Sequence, residues 1–497
     1  MIRRLLIANR GEIAVRIMRA CDELGIDTVA VYSDADKDAL HVRAARHAFR
    51  LGPPPAAESY LSIPRLLEAA RASGADAVHP GYGFLAEHAG FARACRDGGL
   101  IFVGPPADTI GAMGSKIAAR RTMQAAGVPV VPGETPSDQS DAALKAAAHR
   151  AGFPLLIKAS AGGGGKGMRL VRSDGELAAA IAGARHEASS AFGNGTLYVE
   201  RLVLRPRHVE IQVMADADGH AVHLFERDCS AQRRHQKVIE ESPSPALTPS
   251  VRQRLCDAAV TATLAVGYQN AGTVEFLLEG TGEDATFYFL EMNTRLQVEH
   301  PVTEAVTGVD LVKAQLAVAA GEPLPWSQDE LRQRGHAIEC RIYAEDPARD
   351  FLPQAGHVAG YYPPVRPGVR VDSGVDTGSD VTVHYDPMVA KLIAHAASRD
   401  AAIARARAAL AEFDVLGLTT NIPFLIRVLE SGPFRAGEVH TGFLDHEGAH
   451  LAVAPPEPPP AFLRAVLDEF SRESTPSAAV PPGGWDPWER VAGWSVR

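Results

Sequence analysis

With 497 residues, 46% of them hydrophobic and 22% charged, the chain has the composition of a folded protein of about two to four domains, not of a disordered segment. A formal net charge of −10 argues against nucleic acid as a partner, and no apolar run reaches the roughly 18 residues a membrane-crossing helix needs. The start, Met1-Ile-Arg-Arg-Leu, leads into a strand-like run without signal-peptide architecture, and Cys21, Cys95, Cys229, Cys256 and Cys340 are scattered with no CxxC, so a reducing cytoplasm and no zinc site are expected.

Over residues 1–110 short apolar runs alternate with helical patterns. Strands are predicted at 5–8, 28–31, 77–79 and 100–103, and helices at 11–23, 63–73 and 87–96. This alternation predicts a parallel sheet with helices on both faces. The first strand–helix turn, Ala8-Asn-Arg-Gly-Glu-Ile13, lacks the GxGxxG of a dinucleotide site, so no NAD is expected. His79-Pro-Gly-Tyr-Gly-Phe84 reads equally as a plain turn or a substrate-side loop.

Residues 111–205 form a second unit. Gly111-Ala-Met-Gly-Ser-Lys116 is expected to open a helix with Lys116 near its start, where a phosphate contact weighs about evenly against a solvated lysine. Residues 153–158 read as a buried strand ending in Lys158. The run Ala159-Ser-Ala-Gly-Gly-Gly-Gly-Lys-Gly-Met168 follows, then a strand at 169–171. Its glycines, Gly163, Gly164 and Gly165 among them, let the backbone approach a polyphosphate beside Lys166, and the strand–loop–strand order predicts a hairpin lid. It is not a Walker A loop.

The densest chemistry falls at 196–345. A strand at 196–200 delivers Glu200. Arg207-His-Val-Glu-Ile-Gln-Val213 alternates as a half-buried strand. Residues 228–237 read as a cationic loop with Arg233, Arg234, His235 and Lys237, a candidate anion site. A strand at 272–278 sets Glu275 among apolar residues, where a lone carboxylate needs a partner or a metal. After the apolar run 287–290 comes Glu291-Met-Asn-Thr-Arg-Leu-Gln-Val-Glu-His300. While it stays extended, Glu291, Asn293, Arg295, Gln297 and Glu299 share one face. Glu275, Glu291 and Asn293 are candidate metal ligands through hard oxygens. A strand at 337–342 carries Glu339 and Arg341. Residues 346–445 continue the same lobe, with strands at 369–372 and 391–394 and helices at 401–412 and 422–429. Beyond about 452 come the proline-rich 454–460, a possible helix at 462–471, and Trp485, Trp488 and Trp494.

Taken together, these motifs resemble those of the biotin carboxylase family, the ATP-grasp component of acetyl-, propionyl- and other acyl-CoA carboxylases, over about residues 1–447. The resemblance rests on Ile7-Ala-Asn-Arg-Gly-Glu-Ile13, His79-Pro-Gly-Tyr-Gly-Phe84, the run 158–167, Glu226-Arg-Asp-Cys-Ser230, Gln232-Arg-Arg-His-Gln-Lys237 and the run 291–300. It implies an α/β (α+β) ATP-grasp fold with an N-terminal Rossmann-like parallel sheet (1–112), an ATP-grasp domain (113–334) with a mobile glycine-rich lid at about 131–203, a C-terminal lobe (335–447) and a Pro/Trp-rich linker or start of a further domain (448–497). It implies ATP with Mg²⁺ or Mn²⁺, as two ions, as cofactors. Lys116, Lys158 and the 163–166 loop would meet phosphates, Glu200 and backbone near Val203 the adenine, and His208, Gln232 and His235 the length of the nucleotide. Glu275, Glu291 and Asn293 would hold metal. Lys237, Arg295, Gln297, Val298 and Glu299 would surround bicarbonate, with Glu299 as base, and Arg341 would face biotin. Lys166 stands where some members have Arg, and Arg201 where Lys is common.

The dipeptide Met-Lys of a biotinylation motif does not occur in the chain, so biotin is expected on a separate carrier protein or domain, with a carboxyltransferase as further partner. By the same resemblance a homodimer is expected, with Arg19 and Glu23 at its interface, and the chain reads as a short or truncated α subunit. The alternatives are another ATP-grasp ligase, such as a carbamoyl-phosphate-synthetase-like enzyme, or a non-catalytic carboxylase scaffold.

Overall fold

The computed structural model describes residues 1–160 and 167–453. The glycines 163–165, Lys166 and the tail from 454, where a linker and a helix are expected and the tryptophans fall, lie outside the described residues.

The predicted alternation at the N-terminus folds as a five-stranded parallel sheet. Its strands Arg4–Ile7, Asp27–Ser33, His47–Gly52, Ala77–His79 and Ile101–Phe102 lie in the spatial order third, second, first, fourth, fifth. Strand order therefore reverses between the first and fourth strands, and a crevice opens there beyond their C-terminal ends. The two loops at this point are 8–11 and 80–84. Asn9 Nδ2 ties them together by donating to the carbonyls of Pro80 (2.8 Å) and Tyr82 (2.7 Å). Gly81, at φ +63°, is needed because a Cβ there would lie 2.8 Å from that Asn9 amide.

A small antiparallel sheet follows, in the order Gly133–Glu134, Leu197–Arg201, Leu155–Ala159, Met168–Val171. Helices Asp141–Ala151 and Asp174–Phe192 cover it, and Leu144, Ile157, Ile181 and Val199 give it a core of its own. Lys158 pairs with Met168 across the hairpin, so the strand–loop–strand order is present on both sides of the glycine run.

The third sheet positions the site. Eight antiparallel strands run in the order Thr286–Asn293, Asn270–Glu279, Arg207–Ala215, Ala221–Arg233, Gln236–Ser242, His336–Tyr343, Met388–Ala396, Val369–Ser373. One sheet thus spans the predicted 334/335 boundary, as the continuous-lobe expectation required.

Four local expectations change. The helix expected to open at Gly111 does not: Gly111 lies inside Ala107–Gly114, and a new helix, Lys116–Ala125, starts after Ser115, whose hydroxyl accepts from Ala118 N. The strand Arg207–Ala215, expected half-buried, is buried on both faces because the helix Pro249–Ala265 packs on Val209, Ile211 and Val213, while Glu210 and Gln212 on the other face are held by Arg227. Residues 228–237 are a β-hairpin, not a loop, turning at Arg234 and His235, both with positive φ. Finally, extended structure ends at Asn293 instead of reaching Glu299. Glu87, from the N-terminal domain, captures the Thr294 amide (3.0 Å), and Glu299 already caps the helix His300–Thr307.

Candidate active site

Three carboxylates face one another across three strands of the large sheet. Glu210 lies opposite Glu275, and Glu275 opposite Glu291. Like charges in that register repel, so the row requires cations. Lys237 supplies the central one. Its Nζ donates to Glu210, to Glu275 Oε1 (2.9 Å) and to Glu299 Oε1 (2.6 Å). Burial would lower the Lys237 pKa, but the three carboxylates outweigh it and raise the value well above the ordinary lysine range. Beneath lies Arg227, fully buried, which donates to Glu210 Oε1 (2.7 Å), Gln212 Oε1 (2.8 Å) and Thr303 Oγ1 (2.9 Å). His208 flanks the row, 3.0 Å from Glu275 Oε2.

Glu299 is fully buried between two cations. Its Oε1 accepts from Lys237 and its Oε2 from Arg341 Nη2 at 3.0 Å. Burial acts to raise its pKa. Lys237, Arg341 and Arg227 prevail and hold it well below the usual carboxylate range. Arg341 is in turn clamped by Glu240 Oε1 (2.6 Å from Nε); burial lifts the Glu240 carboxyl to about 6 even beside that guanidinium. Arg295 donates through Nε to Glu87 Oε2 (2.9 Å) and through Nη2 to Asn293 Oδ1 (3.2 Å). Gln297 Nε2 and Asn293 Nδ2 both donate to Glu275 Oε1, at 3.1 and 2.8 Å.

Above this network lies a polar cavity of about 380 Å³, bounded by Lys116, Lys158, His208, Gln232, His235, Lys237, Glu275, Glu291, Asn293, Arg295, Gln297, Val298 and Arg341; Glu210, Arg227, Glu240 and Glu299 lie behind that lining. The alternation argument grouped Glu291, Asn293, Arg295, Gln297 and Glu299, and its premise fails after Asn293; the turn still brings Arg295 and Gln297 onto the cavity, together with Val298 from the face it had set apart, while Glu299 lies buried behind Lys237 and Arg341. Glu200 is placed differently. Its carboxylate is buried in a triad with Arg120 Nη1 (2.9 Å) and Lys158 Nζ (2.8 Å), so the side chain is occupied in holding Lys158. Val203 is buried near it in sequence, and neither residue lines the cavity. Arg201 pairs with Glu279, and Arg233 and Arg234 turn to Glu345 and Asp350, while Gln232, His235, Gln236 and Lys237 of that hairpin line the cavity.

Glu275 and Glu291 are register partners, Asn293 follows two residues on, and all three line this cavity; Glu275 Oε1 accepts from Lys237, Asn293 and Gln297, and Asn293 Oδ1 from Arg295, while the Glu291 carboxylate is the least engaged of the three. Lys116 Nζ lies 3.5 Å from the Glu291 carboxylate.

A second cavity, of about 460 Å³, opens at the strand-order reversal of the N-terminal sheet. Asn9, Arg10, Glu12, Tyr82, Phe84, His384 and Tyr385 line it, and Arg295, Val298, Arg341, Tyr343 and Asp386 form a wall common to both cavities. Sequence reasoning missed Glu210, Glu240, Glu87 and this wall. Glu210 carries the same signal as Glu275, a carboxylate inside an alternating strand.

Three family profiles match successive stretches of the chain: "Biotin carboxylase, N-terminal domain" at residues 1–110, "Carbamoyl-phosphate synthase L chain, ATP binding domain" at 115–327 and "Biotin carboxylase C-terminal domain" at 339–446. The chain belongs to the biotin carboxylase family. It has the ATP-grasp fold and is an ATP-dependent ligase. Biotin carboxylase of Halalkalibacterium halodurans is 53% identical over 91% of the chain and 99% of its own length. The methylcrotonoyl-CoA carboxylase α subunit of Arabidopsis thaliana mitochondria is 51% identical over 90% of the chain, which spans only 61% of that longer relative. The biotin carboxylase domain dimer of Hydrogenobacter thermophilus 2-oxoglutarate carboxylase, solved with MgADP, ADP and bicarbonate, superposes with a TM-score of 0.87 at 44% identity, covering 92% of this chain and 99% of that one. Family membership accounts for the middle profile as well, since the flanking profiles belong to biotin carboxylases and not to carbamoyl-phosphate synthases.

Proposed function

We propose that the chain carboxylates biotin with bicarbonate and ATP, through carboxyphosphate, giving carboxybiotin, ADP and phosphate. The observation that carries this reading is Glu299, buried between Lys237, which lines the first cavity, and Arg341, which lines both. Bicarbonate enters against Lys237, Arg295, Gln297 and Val298. The anion then shares the two cations that hold Glu299 down, which raises the carboxylate's basicity as the complex forms. Glu299 takes the bicarbonate proton, and the freed oxygen attacks the γ-phosphorus while ADP departs. Carboxyphosphate releases CO₂ on the side of the second cavity. The phosphate left behind removes the ureido proton of biotin, Arg341 stabilises the resulting enolate, and the nitrogen bonds to CO₂.

Lys116 and Lys158 carry the phosphates together with the 163–166 loop, and Glu200 keeps Lys158 in place. His208, Gln232 and His235 lie along the nucleotide, with backbone near Val203 at the adenine. Glu275, Glu291 and Asn293 would hold Mg²⁺ or Mn²⁺, which would neutralise phosphate charge. The second cavity takes biotin, delivered on a separate carrier, and the carboxybiotin passes to a carboxyltransferase acting on an acyl-CoA. A homodimer in the cytoplasm completes the reading. In the single chain Arg19 binds Asp372 (3.1 Å) and Glu23 pairs with Lys313. Among the described residues no helix is long and apolar enough to cross a membrane. The test is bicarbonate-dependent ATP hydrolysis with and without free biotin. Stimulation by biotin is expected; its absence would favour the carbamoyl-phosphate-type alternative.

A further inference from the structure

Two successive carbonyls of the turn that delivers Glu299 are gripped from behind. His300 Nδ1 lies 2.8 Å from the Gln297 carbonyl, and Lys391 Nζ donates to the Val298 carbonyl at 2.7 Å. Burial, with Lys391, Arg16 and Arg370 nearby, keeps the His300 ring neutral, and its Nδ1–H is the donor this geometry requires. Lys391 comes from the strand Met388–Ala396, opposite Arg341 on one side and Asp372 on the other. Its side chain is fully buried and lines neither cavity.

A lysine is almost never buried so completely without a dedicated partner. Lys391 has two, and they belong to different parts of the molecule. One is the Val298 carbonyl. The other is Glu12 Oε1 at 3.2 Å, on the first helix of the N-terminal domain. Glu12 also accepts from the Tyr82 hydroxyl, on the loop that lines the second cavity. The Val298 carbonyl belongs to the peptide bond that leads into Glu299. A rotation of that peptide moves the Glu299 carboxylate relative to Lys237 and Arg341.

We propose that Lys391 is a positioning residue for the reaction with bicarbonate: it locks the Val298–Glu299 peptide and, through Glu12, ties that turn to the Tyr82 loop. The inference rests on the reading of Glu299 as the base toward bicarbonate. The predicted signature is selective. The nucleotide end of the cavity, at Lys116 and Lys158, has no contact with Lys391, so bicarbonate use should suffer while ATP binding does not.

The test is steady-state kinetics on the full chain with the double variant Lys391→Met/Glu12→Gln, which removes both members of the buried pair and leaves no lone carboxylate. The KM for bicarbonate should rise about tenfold or more while the KM for ATP stays within about twofold, as a displaced reactive group dictates. Circular dichroism checks that the variant is folded. An unchanged bicarbonate KM in the folded variant overturns the proposal. A fall in kcat with both KM values unchanged is simple destabilisation and overturns it as well. If the double variant does not fold, Lys391→Gln, whose shorter amide falls short of Val298, is read by the same KM comparison. A wild-type chain without bicarbonate-dependent ATP hydrolysis overturns the reading of Glu299 and this role together. A wild-type chain that has it, beside variants unmoved in bicarbonate KM, overturns the role of Lys391 alone.

Discussion

Replacing Lys237 by Met should destabilise the protein in a way that depends on pH with a defined sign. Three buried carboxylates converge on its Nζ, with side chains of Glu210, Glu275 and Glu299 that are 0, 6 and 0% exposed. Removing one partner of a buried pair costs about 3–5 kcal/mol. The three pairs do not add threefold, because Arg227 still holds Glu210, His208 still holds Glu275 and Arg341 still holds Glu299. The expected loss is therefore about 3–5 kcal/mol in total at pH 8. In the wild type, burial raises Glu275 and Glu299 but Lys237 and the other cations overcome it, so both lie well below ordinary values. Their contribution is present above an unfolded pKa of about 4.3 and is lost only as pH falls through the depressed values. Without Lys237, burial dominates and the folded-state values rise; Glu210, lifted by burial even beside Lys237, takes up a proton first. For groups raised in this way stability is present at low pH and lost as pH rises. The penalty should thus shrink from pH 8 to pH 5. Urea unfolding of both proteins at the two pH values measures it. A loss under about 1 kcal/mol, or a penalty larger at pH 5 than at pH 8, would refute the reasoning.

Glu299→Gln should lower bicarbonate-dependent ATP hydrolysis by about 10²-fold or more, with ATP binding retained in a calorimetric titration; turnover at wild-type rate would remove Glu299 as the base. Glu200→Gln should release Lys158 and Arg120 from their shared carboxylate and raise the KM for ATP several-fold, with bicarbonate KM unaffected, in steady-state assays. Chelation of divalent ions should abolish ATP hydrolysis, with recovery on adding Mg²⁺ or Mn²⁺, and Glu291→Gln should shift the metal concentration needed for half-maximal rate upward.

The parts of the site that were legible in the sequence are those whose chemistry is local. A carboxylate inside an apolar strand, as at Glu275, has to be explained wherever the strand lies. The polar stretch 291–299 likewise declares its role by composition. Its path does not follow from alternation, because the strand is broken by a contact with Glu87, more than two hundred positions away. A local clue did exist: Pro301 sits in the first turn of the helix His300–Thr307, where proline marks a helix start. The hairpin at 228–237 was obscured by its charges, since Arg233 and Arg234 looked like an anion site but pair with Glu345 and Asp350. The wall common to the two cavities is wholly tertiary. It joins Arg295 and Val298 of the turn, Arg341 and Tyr343 of the strand His336–Tyr343, and Asp386, and no spacing in the chain announces it.

Glu87 also bears on how such a protein comes to be active. One carboxylate of the N-terminal domain accepts from both the Thr294 amide and the Arg295 guanidinium, so the bicarbonate turn is finished by a residue from outside its own domain. The central segment taken alone would lack both the contact that ends the strand at Asn293 and the last three strands of the large sheet. Any chimera that exchanges the first hundred residues therefore inherits its substrate geometry from the donor of that segment. During synthesis the order is favourable: Glu87 leaves the ribosome long before Thr294, and the template is in place when the turn arrives.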